Sequence, residues 1–256
     1  MKHIITILSL LIFVTTLSAQ DFYLKEIFIS QNGDSLKYRL LHPENIREGE
    51  KYPLVLFLHG AGERGDDNEK QLIHGAEMFL NPVNREKYPA YVIFPQCPED
   101  KYWAFLSRPA SFAPDKMTGE KTITPTLKSV KELVDSYISL PGVDKNRVYV
   151  IGLSMGGMAV FDLTVRFSEL FAAAVPICGA VDTSRLVAAK DVSFRIFHGD
   201  ADNVVPVEGS RQAYKVLKKN GADVEYIEFP GCNHESWNPA FCYPDFMKWI
   251  FDKRKK

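Results

Sequence analysis

Apolar positions along the chain follow two different patterns. Near the start, FYLKEIFIS and SLKYRLLHP alternate apolar and polar residues on either side of QNGD. A period of two puts the apolar side chains on one face of a strand, and Asn32-Gly33 suits a tight turn, so an antiparallel hairpin is predicted. From Tyr52 onward the alternation gives way to unbroken apolar runs: YPLVLFLHG, AYVIFPQ, RVYVIGLS, FAAAVPICG, SFRIFHGD and VEYIEFPG. Short runs of this kind fit strands covered on both faces. Helical periodicity lies between or after several of them, at Thr124–Ser139, Gly156–Arg166, Val207–Asn220 and Tyr243–Asp252. The pattern predicts an α/β architecture: a mostly parallel central sheet, helices on both faces, and an N-terminal antiparallel hairpin. Pro98 to Pro125, which includes KYWAFLSRPASFAPDKMTGEKTITP, has no period and is expected to be a long loop. Loops of that length in compact domains are usually functional or mobile.

The length of 256 residues suffices for one sizeable core, and no repeat or low-complexity linker divides residues 20–256, which are expected to form a single domain. The first residues stand apart. MKHIITILSLLIFVTTLSAQ has one lysine, an apolar run and a small-residue site ending at Ala19. That is the layout of a secretory signal peptide over residues 1–19, which predicts export to the periplasm or beyond. The run is shorter than the ~20 residues of a membrane helix, so no membrane span is expected in the mature protein. Net charge is −1 and the terminal KRKK is the one basic run, so nucleic acid is not an expected partner. Export makes disulfides possible. Cys97, Cys178, Cys232 and Cys242 lack zinc-site spacing. Cys97 and Cys178 read as buried residues near strand ends. Cys232 and Cys242 are close enough to close a small loop, and a bridge or two free thiols are both open.

The strongest chemical motif is Gly152-Leu153-Ser154-Met155-Gly156, between an apolar strand and a helix rich in small residues. This setting resembles the nucleophile elbow of the α/β-hydrolases, where a tight turn presents a serine near a helix N-terminus. The serine needs a base and the base an orienting acid, and in that fold they follow in the order serine, acid, histidine. His3, His42, His59 and His74 precede Ser154, and His198 precedes both candidate acids. His234, in PGCNHESW, remains as the base. Asp200 and Asp202 in FHGDADNVVP both lie after the penultimate strand, and periodicity does not choose between them. LHGAGERGDD follows the first buried strand, and its Ala61 N–H, with Gly62 as the alternative, can form an oxyanion hole with the N–H of Met155. His59 is expected to shape that loop. The loop lacks the dinucleotide and P-loop glycine patterns, which argues against nucleotide binding.

Across nearly all of its expected mature length the chain resembles the α/β-hydrolase superfamily. More narrowly, LHGAGERGDD, PQCPEDKYW, GLSMGG, HGDADNVVP and PGCNHESW are similar in order and spacing to exported esterases related to polyhydroxybutyrate depolymerases and feruloyl esterases, the phospholipase/carboxylesterase type. The family pattern H-G-x-x-D-x-x-V-P falls on His198, Gly199, Asp202, Val205 and Pro206. The resemblance therefore implies Asp202 as the acid and leaves Asp200 as a turn former. It also implies a serine esterase working through Ser154, His234 and Asp202, with a small-molecule or glycan-linked ester as substrate, including acyl or feruloyl esters on plant polysaccharides, and with no metal or organic cofactor. GLSMGG is also similar to prolyl-oligopeptidase relatives. A serine peptidase and a non-catalytic carbohydrate-binding relative are the alternatives. Tyr102, Trp103 and Trp237 are candidate substrate-pocket residues, with packing of the loop onto the core as the competing role.

Overall fold

The computed structural model describes residues 22–255, so the leader-like stretch 1–19 lies outside the described residues. The alternating segments form β1 (Leu24–Ile29) and β2 (Ser35–Leu41), paired antiparallel with Ile29 opposite Ser35. Gly33 closes the turn at φ +85°, where a side chain would be strained, and its N–H donates to Ser30 O at 2.9 Å. The continuous runs form β3 (Tyr52–Leu58), β4 (Tyr91–Pro95), β5 (Val143–Leu153), β6 (Ala173–Ile177), β7 (Ser193–Gly199) and β8 (Val224–Phe229). One sheet results, in the order β1-β2-β4-β3-β5-β6-β7-β8. Strands β3 to β8 run parallel, and β2 joins them antiparallel through β4.

Seven α-helices among the described residues flank the sheet: α1 (Ala76–Leu80), α2 (Pro82–Lys87), α3 (Pro125–Ile138), α4 (Met155–Arg166), α5 (Glu208–Lys219), α6 (Trp237–Phe241) and α7 (Phe246–Phe251). The pleat of β3 divides two cores. Leu54, Leu56 and Leu58 pack with apolar residues of α3, α4 and α5, including Val130, Val160 and Leu217. Val55 and Phe57 pack on the other face with Phe79 of α1 and Trp249 of α7. A strand buried on both faces cannot alternate with polar residues, which is why β3 reads as an unbroken apolar run. The start of α3 is fixed locally: Thr124 Oγ1 accepts the Leu127 N–H at 3.1 Å, and Pro125 occupies the first helical position, where its missing N–H costs nothing.

One sequence expectation needs correction, and one alternative left open is decided. The final helix expected over Tyr243–Asp252 is shorter, because Pro244 disfavours helical geometry at Tyr243, and the chain forms α6 and α7 on either side of it. The bridge left open between Cys232 and Cys242 is not formed, and all four cysteines are free. Cys232 is tied into the loop after β8, its carbonyl accepting the Ala201 N–H at 3.1 Å, whereas Cys242 is exposed at the end of α6. Residues 98–124 form neither helix nor strand, as their lack of period predicts.

Candidate active site

Ser154 occupies the turn from β5 into α4 with φ 53° and ψ −116°. A non-glycine residue held in such a region costs roughly 1–3 kcal/mol and persists only where its surroundings fix it. Here they do: the Ser154 N–H donates to Ile177 O at 2.8 Å, and its carbonyl accepts the Met158 N–H at 3.0 Å. Gly156 is required by close approach. A Cβ at that position would stand 1.9 Å from Leu58 O, so any side chain would push α4 away from the end of β3. The turn thus brings Ser154 beside the loop that follows β3.

His234 Nε2 lies 2.9 Å from Ser154 Oγ, and His234 Nδ1 donates to Asp202 Oδ2 at 2.7 Å. A continuous hydrogen-bonded line therefore joins the ends of β5, β7 and β8. Asp202 Oδ1 accepts the N–H groups of Val204 and Val205, both at 2.8 Å. Burial pushes the Asp202 carboxyl pKa up, but hydrogen bonds from His198, His234, Val205 and Val204 outweigh it and hold the group well below the usual carboxylate range. The carboxylate is thus ionised wherever the fold persists at neutral pH.

Asp200 has a different task. Its Oδ1 accepts the Gly231 N–H at 2.6 Å, so its bond crosses to the loop after β8 instead of closing a turn within its own loop. Asn233 Oδ1 accepts the Asn203 N–H at 3.0 Å and the His234 N–H at 2.8 Å. Gly199 permits the approach: a Cβ there would stand 2.2 Å from Cys232 O. These contacts bind the loop that carries His234 to the loop that carries Asp202.

Ala61 opens a short 3-10 turn after β3, and Met155 is the first residue of α4. First-turn N–H groups have no intrahelical acceptor, so Met155 offers a free donor beside Ser154. Ala61, Met155 and Ser154 line one cavity of about 210 Å³, and Gly62 is not part of its wall. His59 supports the loop from beneath. Its Nδ1–H donates to Gly60 O at 2.6 Å, while Nε2 accepts the Cys97 N–H at 3.0 Å. Burial lowers its pKa to about 4, which keeps the ring neutral.

The aromatic candidates separate. Tyr102 lines the cavity. Trp103 does not: it is fully buried, and its Nε1–H donates to His59 O at 3.1 Å, so it anchors the long loop to the core. Trp237 packs its ring against His234, with centroids 5.6 Å apart and planes at 85°, outside the cavity wall. Of the remaining wall residues, Arg108, Phe112 and Met158 escaped sequence reasoning because the long loop and the helix interior carry no motif, while Arg64 lies inside LHGAGERGDD, which was read only for its backbone donors.

Two further neighbours were also missed. His198 is fully buried, with Nε2 3.2 Å from Asp202 Oδ2 and 3.0 Å from Val205 O. Because Val205 O can only accept, Nε2 carries the proton and Nδ1 faces Ser210 Oγ at 2.7 Å. Its position directly before the Asp200–Asp202 loop was the available signal. The ligand-type atoms of Cys178, Asp202 and His234 lie within 4.8 Å of one another. The hydrogen bond between His234 and Asp202 already occupies two of them, and burial raises the Cys178 thiol pKa well above its usual value, so the sulfur stays protonated.

A family model described as phospholipase/carboxylesterase matches residues 45–243, a span that holds Ala61, Ser154, Asp202 and His234. A thermostable esterase of known structure superposes with a TM-score of 0.84 at 34% identity over 93% of this chain, which spans 64% of that esterase's length. A probable carboxylesterase of Oryza sativa subsp. japonica is 25% identical over 217 residues, covering 79% of this chain and 88% of the rice protein. A ferulic acid esterase from Anaeromyces mucronatus, solved with ferulic acid, shares the fold with a TM-score of 0.63 at 17% identity over 90% of each chain. The chain belongs to the phospholipase/carboxylesterase family and is an α/β-hydrolase of carboxylesterase type.

Proposed function

We propose that the chain is a serine esterase that works through an acyl-enzyme on Ser154. The observation carrying this reading is the hydrogen-bonded line from Ser154 through His234 to Asp202. Ser154 Oγ attacks the ester carbonyl as His234 Nε2 takes its proton. Asp202 holds the imidazole with Nδ1 protonated and stabilises the imidazolium that forms. The N–H groups of Ala61 and Met155 donate to the tetrahedral oxyanion, a contribution worth about 3–4 kcal/mol per donor in comparable sites. His234 then protonates the leaving alcohol, and water repeats the sequence on the acyl-enzyme. The substrate is a small-molecule or glycan-linked ester, and acyl and feruloyl esters of plant polysaccharides belong to its range. The leader-like residues 1–19 support export of the mature protein.

Wild type and Ser154→Ala are compared on a panel of acetyl, butyryl and feruloyl esters. Wild type is expected to hydrolyse at least one, and the variant to lose about 10⁴-fold or more in kcat. Equal rates in the two proteins, or none in either, would sink the esterase reading.

A further inference from the structure

The cavity beside Ser154 has an unusual charge state for its surroundings. Eight arginines of the described residues lie within 4.0 Å of a carboxylate oxygen: Arg47, Arg85, Arg147, Arg166, Arg185, Arg195, Arg211 and Arg254. Arg64 and Arg108 form no such pair among the described residues, and both line the cavity. Of the acids on the same loops, Asp100 pairs with Lys101 at 2.7 Å, Asp67 with Lys70 at 3.5 Å and Glu63 with His74 at 3.6 Å.

Arg64 is held in place. Its Nε donates to Ala61 O at 2.8 Å and its Nη1 to Lys101 O at 3.3 Å, while the guanidinium carbon lies 4.6 Å from the centroid of the Tyr102 ring. These contacts use backbone carbonyls and a π face, so they fix the group without cancelling its charge. Nη2 donates to no residue among those described. Arg108 is exposed at the cavity mouth, with its guanidinium carbon 5.8 Å from the centroid of the Phe112 ring. Phe112 and Met158 give the remaining wall an apolar surface. At about 210 Å³ the cavity is smaller than the roughly 300–1,000 Å³ of a drug-sized pocket, so it takes a compact group.

We infer that the enzyme prefers esters carrying a carboxylate, bound by Arg64 and Arg108 in this cavity while the ester carbonyl reaches Ser154. This deepens the esterase reading and rests on it. A planar guanidinium with free N–H groups matches a carboxylate in geometry as well as charge, and low-dielectric aromatic walls strengthen the attraction. The charge can reside on the acyl side, as in a half-ester of a dicarboxylic acid, or on the alcohol side, as in an acylated hydroxy acid.

Two matched pairs of substrates distinguish these sources. 4-Nitrophenyl hemiglutarate against 4-nitrophenyl butyrate places the charge on the acyl side, and 4-acetoxybenzoate against 4-acetoxybenzamide places it on the alcohol side. The readout is the ratio of kcat/KM for the charged ester to that for its neutral partner. A ratio cancels any general effect of Arg64 on the Ala61 loop. Wild type is expected to favour the charged member in one pair. In that pair Arg108→Gln and Arg64→Gln each lower the ratio about tenfold, Arg108→Lys keeps most of it, and Arg47→Gln, on a distant surface, leaves it unchanged. Added salt lowers the wild-type ratio as well. Calorimetric binding of the favoured charged ester to Ser154→Ala, with and without Arg108→Gln, reads the same preference without turnover. If the neutral esters are hydrolysed but neither arginine changes either ratio or the binding, the carboxylate preference is wrong and the esterase reading stands. If Ser154→Ala binds the charged esters through the arginines but wild type hydrolyses nothing, the esterase reading fails alone.

Discussion

Asp202 Oδ2 meets two histidines, His234 at 2.7 Å and His198 at 3.2 Å, and only the first continues to Ser154. The roles of the two neighbouring aspartates therefore divide under mutation. Asp202→Asn should lower kcat by about 10⁴-fold with the fold intact, because the base loses the group that sets its tautomer. Asp200→Asn turns the charge-assisted bond from Gly231 N–H into a neutral one and should act mainly on stability, by about 1 kcal/mol in denaturant unfolding. Reversed outcomes would show that the two carboxylates had been exchanged. Ser154 and His234 were legible because one is marked by flanking glycines and the other by elimination along the chain. His198 stands in the family pattern, but its role was not legible, since it lies in a contact with Asp202 that exists only once the strand end and the following loop fold together.

The long loop between β4 and α3 shows how an element without periodicity depends on a few anchors. Trp103 is fully buried and donates to His59 O, while Thr124 Oγ1 both donates to Trp103 O and caps α3. The loop is thus fastened at the site and at the helix that follows it. Trp103→Ala should cost about 3–5 kcal/mol in thermal or chemical unfolding, the usual loss for a buried tryptophan, and should raise KM by loosening the cavity wall that Tyr102 and Phe112 form. A variant as stable as wild type would mean the indole is not the anchor. The strands and longer helices were readable because burial imposes a period or an unbroken apolar run. In this loop an aromatic residue looks the same in sequence whether it turns inward, as Trp103 does, or lines a cavity, as Tyr102 does.

For the whole molecule, pH couples the site to the fold through His59. Its pKa is lowered from 6.5 to about 4 by burial, so between those values the unfolded chain binds a proton that the folded chain refuses. Stability contributed by the neutral ring is complete above pH ~6.5 and is lost progressively as pH falls toward 4, by about 3 kcal/mol in total. Asp202, with its depressed pKa, adds a second loss at lower pH still. Denaturant midpoints measured from pH 7 to pH 4.5 should fall, and His59→Asn should flatten the part of that slope between pH 6.5 and 4.5. An unchanged slope would show that His59 is not the group responsible.

The site also draws on the sheet in chain order. Ala61 follows β3, Ser154 follows β5, Asp202 follows β7 and His234 follows β8, the strand at the far edge. During synthesis a chain emerges from its N-terminus, so the proposed oxyanion donor and nucleophile emerge first and the proposed base last. Until β8 pairs with β7, Ser154 lacks the imidazole proposed to take its proton. On the proposed mechanism the site is complete only when the edge strand β8 is docked.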